Sequence, residues 1–228
     1  MTSVSMQLDG PRLAPASGRA ARQLVVLLHG YGADGNDLID IGRYWAGALP
    51  DAAFVAPHAP EPCAEAPMGR QWFALSERSP SEFWRGVNAA APAFDRFVDD
   101  ELARHSLDER ALALVGFSQG TMLALHAGPR RNPPVAGIVG FSGLLAGPEH
   151  LAAEVRSTPP VLLVHGDEDP LIPVGALFLA ANGLAAAGIP AEWHVRPGLQ
   201  HGIDQEGLEL GAAFLRRVLA VSAGSGPS

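Results

Sequence analysis

Three short stretches of the chain carry residues that could do chemistry together. They are Gly116-Phe117-Ser118-Gln119-Gly120, Gly166-Asp167-Glu168-Asp169-Pro170 and Gln200-His201-Gly202. A serine hydroxyl becomes a useful nucleophile when a histidine takes its proton, and the histidine needs a carboxylate to fix its tautomer. Ser118, an acid near 169 and His201 occur in the order nucleophile, acid, base. G-x-S-x-G is a weak pattern alone, but here it stands between a strand-like run, Ala111–Val115, and a helix-like run, Thr121–Ala127. That context predicts a sharp strand-to-helix turn with Ser118 at its tip and both glycines needed for close packing.

Three carboxylates compete for the acid. Asp169 precedes Pro170, which favours an extended conformation, and it is preferred over Asp167; Glu168 is expected to face water. Of the eight histidines, only His201 stands between the last strand-like and the last helix-like segments. His29 is read as structural, His165 as ending a buried strand and His126 as lying on a helix, and His58, His105, His150 and His194 lack a partner motif.

A fourth stretch, Leu24 to Gly35, reads LVVLLHGYGADG, with glycines spaced G-x-G-x-x-G after a strand-like run. That spacing also occurs in dinucleotide-binding turns. A dinucleotide site further requires a helix beginning inside the motif and an acidic residue at the end of the second strand. Here Asn36 and Asp37 are expected to cap a helix that starts after the motif, and the second strand ends in Val55-Ala56-Pro57 with no acid. His29-Gly30-Tyr31-Gly32 instead suits one half of an oxyanion hole, in which the backbone N–H of Tyr31 acts beside that of Gln119.

The elements that must hold these groups follow from hydrophobic patterning. Strands are expected at Leu24–Leu28, Ala53–Ala56, Ala111–Gly116, Ala136–Phe141, Val161–His165 and Ala191–Val195. Helices are expected near Asp37–Ala48, Ser81–His105, Gln119–Ala127, Val174–Ala187 and Asp204–Val221, the last capped by Asp204. Short apolar runs alternating with longer amphipathic ones predict an α/β chain with a mainly parallel sheet and helices on both faces. One domain over 1–221 is expected, with a disordered tail at 222–228 and a long irregular loop at Ala56–Pro67.

Bulk composition narrows the partners. The 228 residues are 47% apolar and 18% charged, enough for a full core. A net charge of −8 without any basic run argues against nucleic acid. The single cysteine excludes an intramolecular disulfide and argues against a thiolate metal site. The N-terminal segment lacks a basic stretch followed by an apolar core, so a secretory signal is not expected. The charge-free stretch Asn132 to Pro148 is too short to cross a bilayer, so stable membrane insertion is not expected. A cytoplasmic enzyme without a cofactor or metal, acting on a small-molecule ester, is the expectation, with a homodimer left open.

The motifs LLHGYGADGNDL, GFSQG, HGDEDPLIP and the His-Gly after the last strand resemble the phospholipase/carboxylesterase family of α/β-hydrolases, which also contains the acyl-protein thioesterases. The segment APHAPEPC…GRQWF is similar to the bacterial carboxylesterase branch. The resemblance implies the α/β-hydrolase fold, Ser118 as nucleophile, Asp169 as acid, His201 as base, and an oxyanion hole from Tyr31 and Gln119. It also implies that Trp72 and Phe73 stand near the mouth of the acyl pocket. Leu144, Leu145, Leu171 and Ile172, in loops after strands, are expected to make that pocket apolar, suited to short and medium acyl chains. An acyl thioesterase or lysophospholipase with the same triad is the alternative, and a non-catalytic binding protein of this fold is a third.

Overall fold

The computed structural model describes residues 7–223, with side-chain surroundings through residue 220. Its framework is one seven-stranded sheet. The strands are β1 (Arg12–Leu13), β2 (Gln23–Leu28), β3 (Ala52–Val55), β6 (Leu112–Phe117), β7 (Gly137–Phe141), β8 (Val161–Gly166) and β9 (Ala191–Arg196). They lie in the order β1-β3-β2-β6-β7-β8-β9, all parallel except β1, which pairs antiparallel with β3 at the edge. A separate ribbon pairs β4 (Glu61–Pro62) antiparallel with β5 (Arg70–Gln71).

The strands β2 and β6–β8 read as continuous apolar runs because both faces of the sheet are covered. Leu24, Val26 and Leu28 point to one side, with Val87 and Phe94 of α2 (Pro80–His105), Leu123 of α3 (Gln119–Ala127) and Leu184 of α5 (Gly175–Ala186). Val25 and Leu27 point to the other, with Trp45 of α1 (Gly35–Trp45) and Phe214 and Leu215 of α6 (Gln205–Ala223). This alternation is the two-residue period of a strand, expressed in two separate cores. A short helix, α4 (Pro148–Glu154), completes the set.

The order of the strands sets where a ligand can bind. From β2 the chain adds β3 on one side, then returns to place β6, β7, β8 and β9 successively on the other. Parallel sheets open a crevice at the carboxyl ends of the strands where that direction reverses. Here the crevice lies between the ends of β2 and β6, which pair with Leu28 opposite Gly116. Ser118 and the His29–Gly32 loop therefore leave the sheet side by side.

Four local expectations need correction. Helix α1 begins at Gly35, inside the glycine motif, with Asp34 as N-cap rather than Asn36 or Asp37. Asp34 accepts from the N–H of Asn36 (2.7 Å), and Asp37 accepts from that of Asp34 (2.8 Å), a reciprocal capping box. The segment 56–67 is not wholly irregular, since it contains β4. Strand β1 and helix α4 carried too few residues to register as periodic segments. The expected disordered tail overlaps α6 at 222–223, and the rest of it, 224–228, lies outside the described residues.

The elbow between β6 and α3 leaves no room for side chains. A Cβ on Gly120 would lie 2.0 Å from the Leu28 carbonyl oxygen, and one on Gly116 would lie 2.4 Å from the Thr121 nitrogen. Because the obstacles are backbone atoms, relief requires moving a strand. Gly120→Ala is expected to lower the unfolding free energy by about 3 kcal/mol, an overpacking cost. Gly175→Ala, whose Cβ would meet nothing within 4 Å, should change it by under about 1 kcal/mol. Urea denaturation of both variants checks this, and equal midpoints would refute the steric account.

Candidate active site

Ser118 occupies the single residue between β6 and α3, with φ 53° and ψ −114°, in the positive-φ region that L side chains rarely adopt. The strain is held by backbone bonding: Ser118 N–H donates to the Phe141 carbonyl (2.9 Å), and Thr121 N–H donates to the Ser118 carbonyl (3.0 Å). The Thr121 hydroxyl also donates to the Phe141 carbonyl, at 2.9 Å. The side chain is thereby presented at the cleft, while α3 directs its N-terminus toward the same point.

Asp169 follows β8 and His201 follows β9, and the structure brings them together. His201 Nδ1 lies 2.7 Å from Asp169 Oδ2. Asp169 Oδ1 accepts from the N–H groups of Leu171 and Ile172, each at 2.9 Å. Burial by itself raises the Asp169 pKa. The Ile172 N–H, His201 and the Leu171 N–H outweigh it, so the carboxyl ends below its ordinary value. The resulting species is a fixed carboxylate, with a fully buried side chain, beneath a histidine ring whose side chain is 14% exposed. The ring of Phe117 packs on His201 at a centroid distance of 5.0 Å.

Asp167 has a different task. Its Oδ1 accepts from the Gly198 N–H at 2.7 Å, tying the loop after β9 to the loop after β8. Ser142 secures the far end of that loop by donating its hydroxyl to the Gly202 carbonyl (3.0 Å). Both contacts fix the backbone around His201.

One buried residue escaped the sequence reading. His165 Nε2 lies 2.8 Å from the Ile172 carbonyl and 3.2 Å from Asp169 Oδ2. A carbonyl only accepts, so Nε2 carries the proton and His165 braces the Asp169 turn. The available signal was a histidine closing a buried strand four residues before a carboxylate.

The N–H groups of Tyr31 and Gln119 have no acceptor among the described residues. Both residues line the cleft with Ser118, and Gly30 packs against Phe117 and Ser118. The loop is stitched to the β4–β5 ribbon, for Gly32 N–H donates to the Arg70 carbonyl (2.9 Å) and Arg70 N–H to the Ala33 carbonyl (2.8 Å). His29 is buried inside it. Its Nε2 accepts from the Ala59 N–H (3.0 Å) and its Nδ1 donates to the Gly30 carbonyl (2.8 Å). Burial lowers its pKa, which keeps the ring neutral. The Tyr31 phenol interacts with the Cys63 thiol, and this contact with partial burial pushes its pKa up to about 12.

The loop is not free to hold a pyrophosphate. A phosphate would need the first N–H groups of α1, yet the amides of Asp34, Gly35 and Asn36 donate to Asp37, His58 and Asp34 respectively. Gly35 is a glycine because a Cβ there would lie 2.0 Å from the Ala56 carbonyl oxygen. The glycine spacing arises from helix–strand packing.

Trp72 and Phe73 are a correction. Both are buried in the core rather than at the cleft. Trp72 N–H donates to Gln119 Oε1 (2.9 Å), Gln119 Nε2 donates to the Phe73 carbonyl (2.8 Å), and the Trp72 indole donates to the His29 carbonyl (2.9 Å). They clamp the Gln119 side chain from behind, locking the residue that follows Ser118. The cleft itself encloses about 370 Å³. Leu144, Leu171 and Ile172 line it, whereas Leu145 turns into the core. Leu75, Phe83, Met122 and Arg78 also line it and were not anticipated.

A doubly covered parallel sheet, a strained serine at the strand–helix turn and an Asp–His pair on later loops define the α/β-hydrolase fold. The phospholipase/carboxylesterase family model matches residues 14–219. The chain belongs to that family. It is 45% identical, at a TM-score of 0.90, to a crystal structure described as esterase PE8, covering 94% of this chain and all of that one. It is 30% identical to acyl-protein thioesterase 1 of Gibberella zeae, over 93% of this chain and 98% of the relative. It is 29% identical to esterase YpfH of Escherichia coli, over 87% and 84%. Among the described residues no helix is long and apolar enough to cross a membrane.

The Asp169 environment makes acid stability a test. A carboxyl whose folded pKa is depressed adds stability that is fully present above its unfolded value of about 4 and is lost progressively as pH falls below that value and through the lower folded one. The stability difference between wild type and Asp169→Asn is therefore expected to shrink from pH 6 to pH 3, measured by urea denaturation. A constant difference would mean that Asp169 is not a depressed carboxylate.

Proposed function

We propose that this α/β-hydrolase is a serine carboxylesterase acting on small-molecule esters of short to medium acyl chains. The observation that carries the reading is the Asp169–His201 contact of 2.7 Å beside a strained Ser118 in one apolar cleft. The esterase relatives support the same class. A sole and buried cysteine agrees with a reducing, cytoplasmic setting.

In this reading Ser118 Oγ attacks the ester carbonyl while His201 Nε2 takes its proton. Asp169 keeps the other ring nitrogen protonated and stabilises the imidazolium. The N–H groups of Tyr31 and Gln119 receive the negative charge on the carbonyl oxygen. Each such donor contributes about 3 kcal/mol, since the charge develops only in the transition state. Collapse of the intermediate returns the proton from His201 to the departing alcohol and leaves an acyl-serine. Water, deprotonated by His201, then attacks that ester, and Ser118 regains its proton as the carboxylic acid departs.

Thioester cleavage uses the same groups, and the thioesterase relative in Gibberella zeae favours it as the second reading. The cleft separates the two. A buried methylene contributes about 0.8 kcal/mol, so kcat/KM should rise several-fold per two carbons until the space is filled.

Three outcomes are expected. Ser118→Ala should remove turnover of 4-nitrophenyl butyrate and labelling by a fluorophosphonate probe; persistent labelling would displace Ser118 as nucleophile. Asp169→Asn should lower kcat by about 10⁴ and Asp167→Asn by far less; the reverse ranking would exchange their roles. Across 4-nitrophenyl esters from acetate to palmitate, the optimum should fall between butyrate and octanoate. An optimum at palmitoyl thioesters would establish the second reading.

A further inference from the structure

Among the described residues that line the apolar cleft, one carries a permanently charged side chain, and it is Arg78. Its backbone sits at φ 51°, a left-handed conformation that an arginine adopts only when its surroundings impose it. Glu82, in the first turn of α2, imposes it. The Glu82 carboxylate accepts from the N–H groups of Ser76 (2.8 Å), Glu77 (3.0 Å) and Arg78 (2.6 Å), and from the Ser76 hydroxyl (2.6 Å). These donors hold the Glu82 carboxyl at about 2, so the clamp stays charged. A whole turn is thus fixed by one carboxylate, and the residue at its tip is a cation facing the cleft.

The guanidinium is lightly engaged. Its recorded partner is Glu65 at 3.4 Å, and both side chains are more than half exposed. Exposed pairs of this kind contribute little and exchange readily. Arg78 lines the same cleft as Gly30, Tyr31 and Ser118.

We propose that Arg78 is a specificity residue that receives a carboxylate borne by the ester substrate, with Glu65 holding the site in its absence. This deepens the esterase reading and rests on it. The planar guanidinium pairs with a carboxylate through two parallel N–H···O bonds, and the apolar lining takes the methylenes between that carboxylate and the scissile bond. The preferred substrates are then anionic esters rather than neutral ones of equal length.

Two matched pairs of esters test this and separate the acyl side from the alcohol side. The acyl pair is 4-nitrophenyl hydrogen adipate against 4-nitrophenyl adipamate. The alcohol pair is O-butyryl lactate against O-butyryl lactamide. In the wild type, kcat/KM for the anionic member of one pair should exceed the neutral member by about 10-fold. That ratio should collapse toward one in Arg78→Gln, fall with added salt, and rise in Glu65→Gln. A ratio at or below one in both pairs, or a ratio that Arg78→Gln leaves intact, overturns the proposal. Calorimetric binding of monomethyl adipate to Ser118→Ala, with and without Arg78→Gln, gives a readout independent of turnover. Binding that weakens about 10-fold with the arginine change supports the site even if no ester is hydrolysed, whereas equal binding overturns it.

Discussion

The constraint on which the site depends is the contact between the strand end at Leu28 and the helix start at Gly120. Gly120 packs against the Leu28 carbonyl so closely that no side chain fits, and Gly116 packs as closely on Thr121. That proximity forces Ser118 into its positive-φ conformation. It also brings the end of β2, with Gly30 and Tyr31, within reach of the serine. Strain at one residue and two open N–H groups are therefore products of a single packing arrangement. The bonds that the Ser118 N–H and the Thr121 hydroxyl donate to the Phe141 carbonyl fix it from the opposite side.

A second layer keeps charges in fixed states. Asp169 is surrounded by donors from Leu171, Ile172 and His201, and the result is a carboxylate held below its ordinary pKa although buried. His29 is buried without a carboxylate contact of its own and stays neutral. Two histidines at strand ends thus differ in role because one meets an acid and the other meets backbone. Residue type alone does not separate them.

The large-scale fold was legible in the sequence because parallel strands covered on both faces must be apolar throughout. The runs at 24–28, 112–117, 137–141 and 161–166 show this plainly. Asp169 and His201 were legible for a topological reason, since groups after parallel strands gather at one edge of the sheet. Trp72 and Phe73 were not legible. Bulky aromatics near a site suggest a pocket wall, but their backbone atoms hold Gln119, and backbone bonding leaves no trace in side-chain type. The same holds for the ribbon at 61–71, whose two-residue strands carry no periodicity. Gly35 is the opposite case: its spacing imitates a phosphate loop, a reading the missing acid after the second strand already argued against, and its cause is the close Ala56 carbonyl.

The parts of the site that define chemistry and those that define selectivity come from different kinds of structure. Ser118 directly follows β6, and Asp169 and His201 lie in the loops after β8 and β9, where the sheet edge and its hydrogen bonds hold them. The 61–79 region, by contrast, is held by a few strong acceptors and donors. Glu82 gathers three amides of the turn at 76–78, and the Arg70 peptide grips the loop after β2 at Gly32 and Ala33. Replacing residues at the tip of such a turn leaves the gathering carboxylate in place. A loop tied down at its base and free at its tip can vary what the cleft accepts without disturbing the sheet edge that carries the reaction. Under the proposed esterase reading, selectivity belongs to the turn before α2 and the apolar wall after β7 and β8, while reactivity belongs to the sheet.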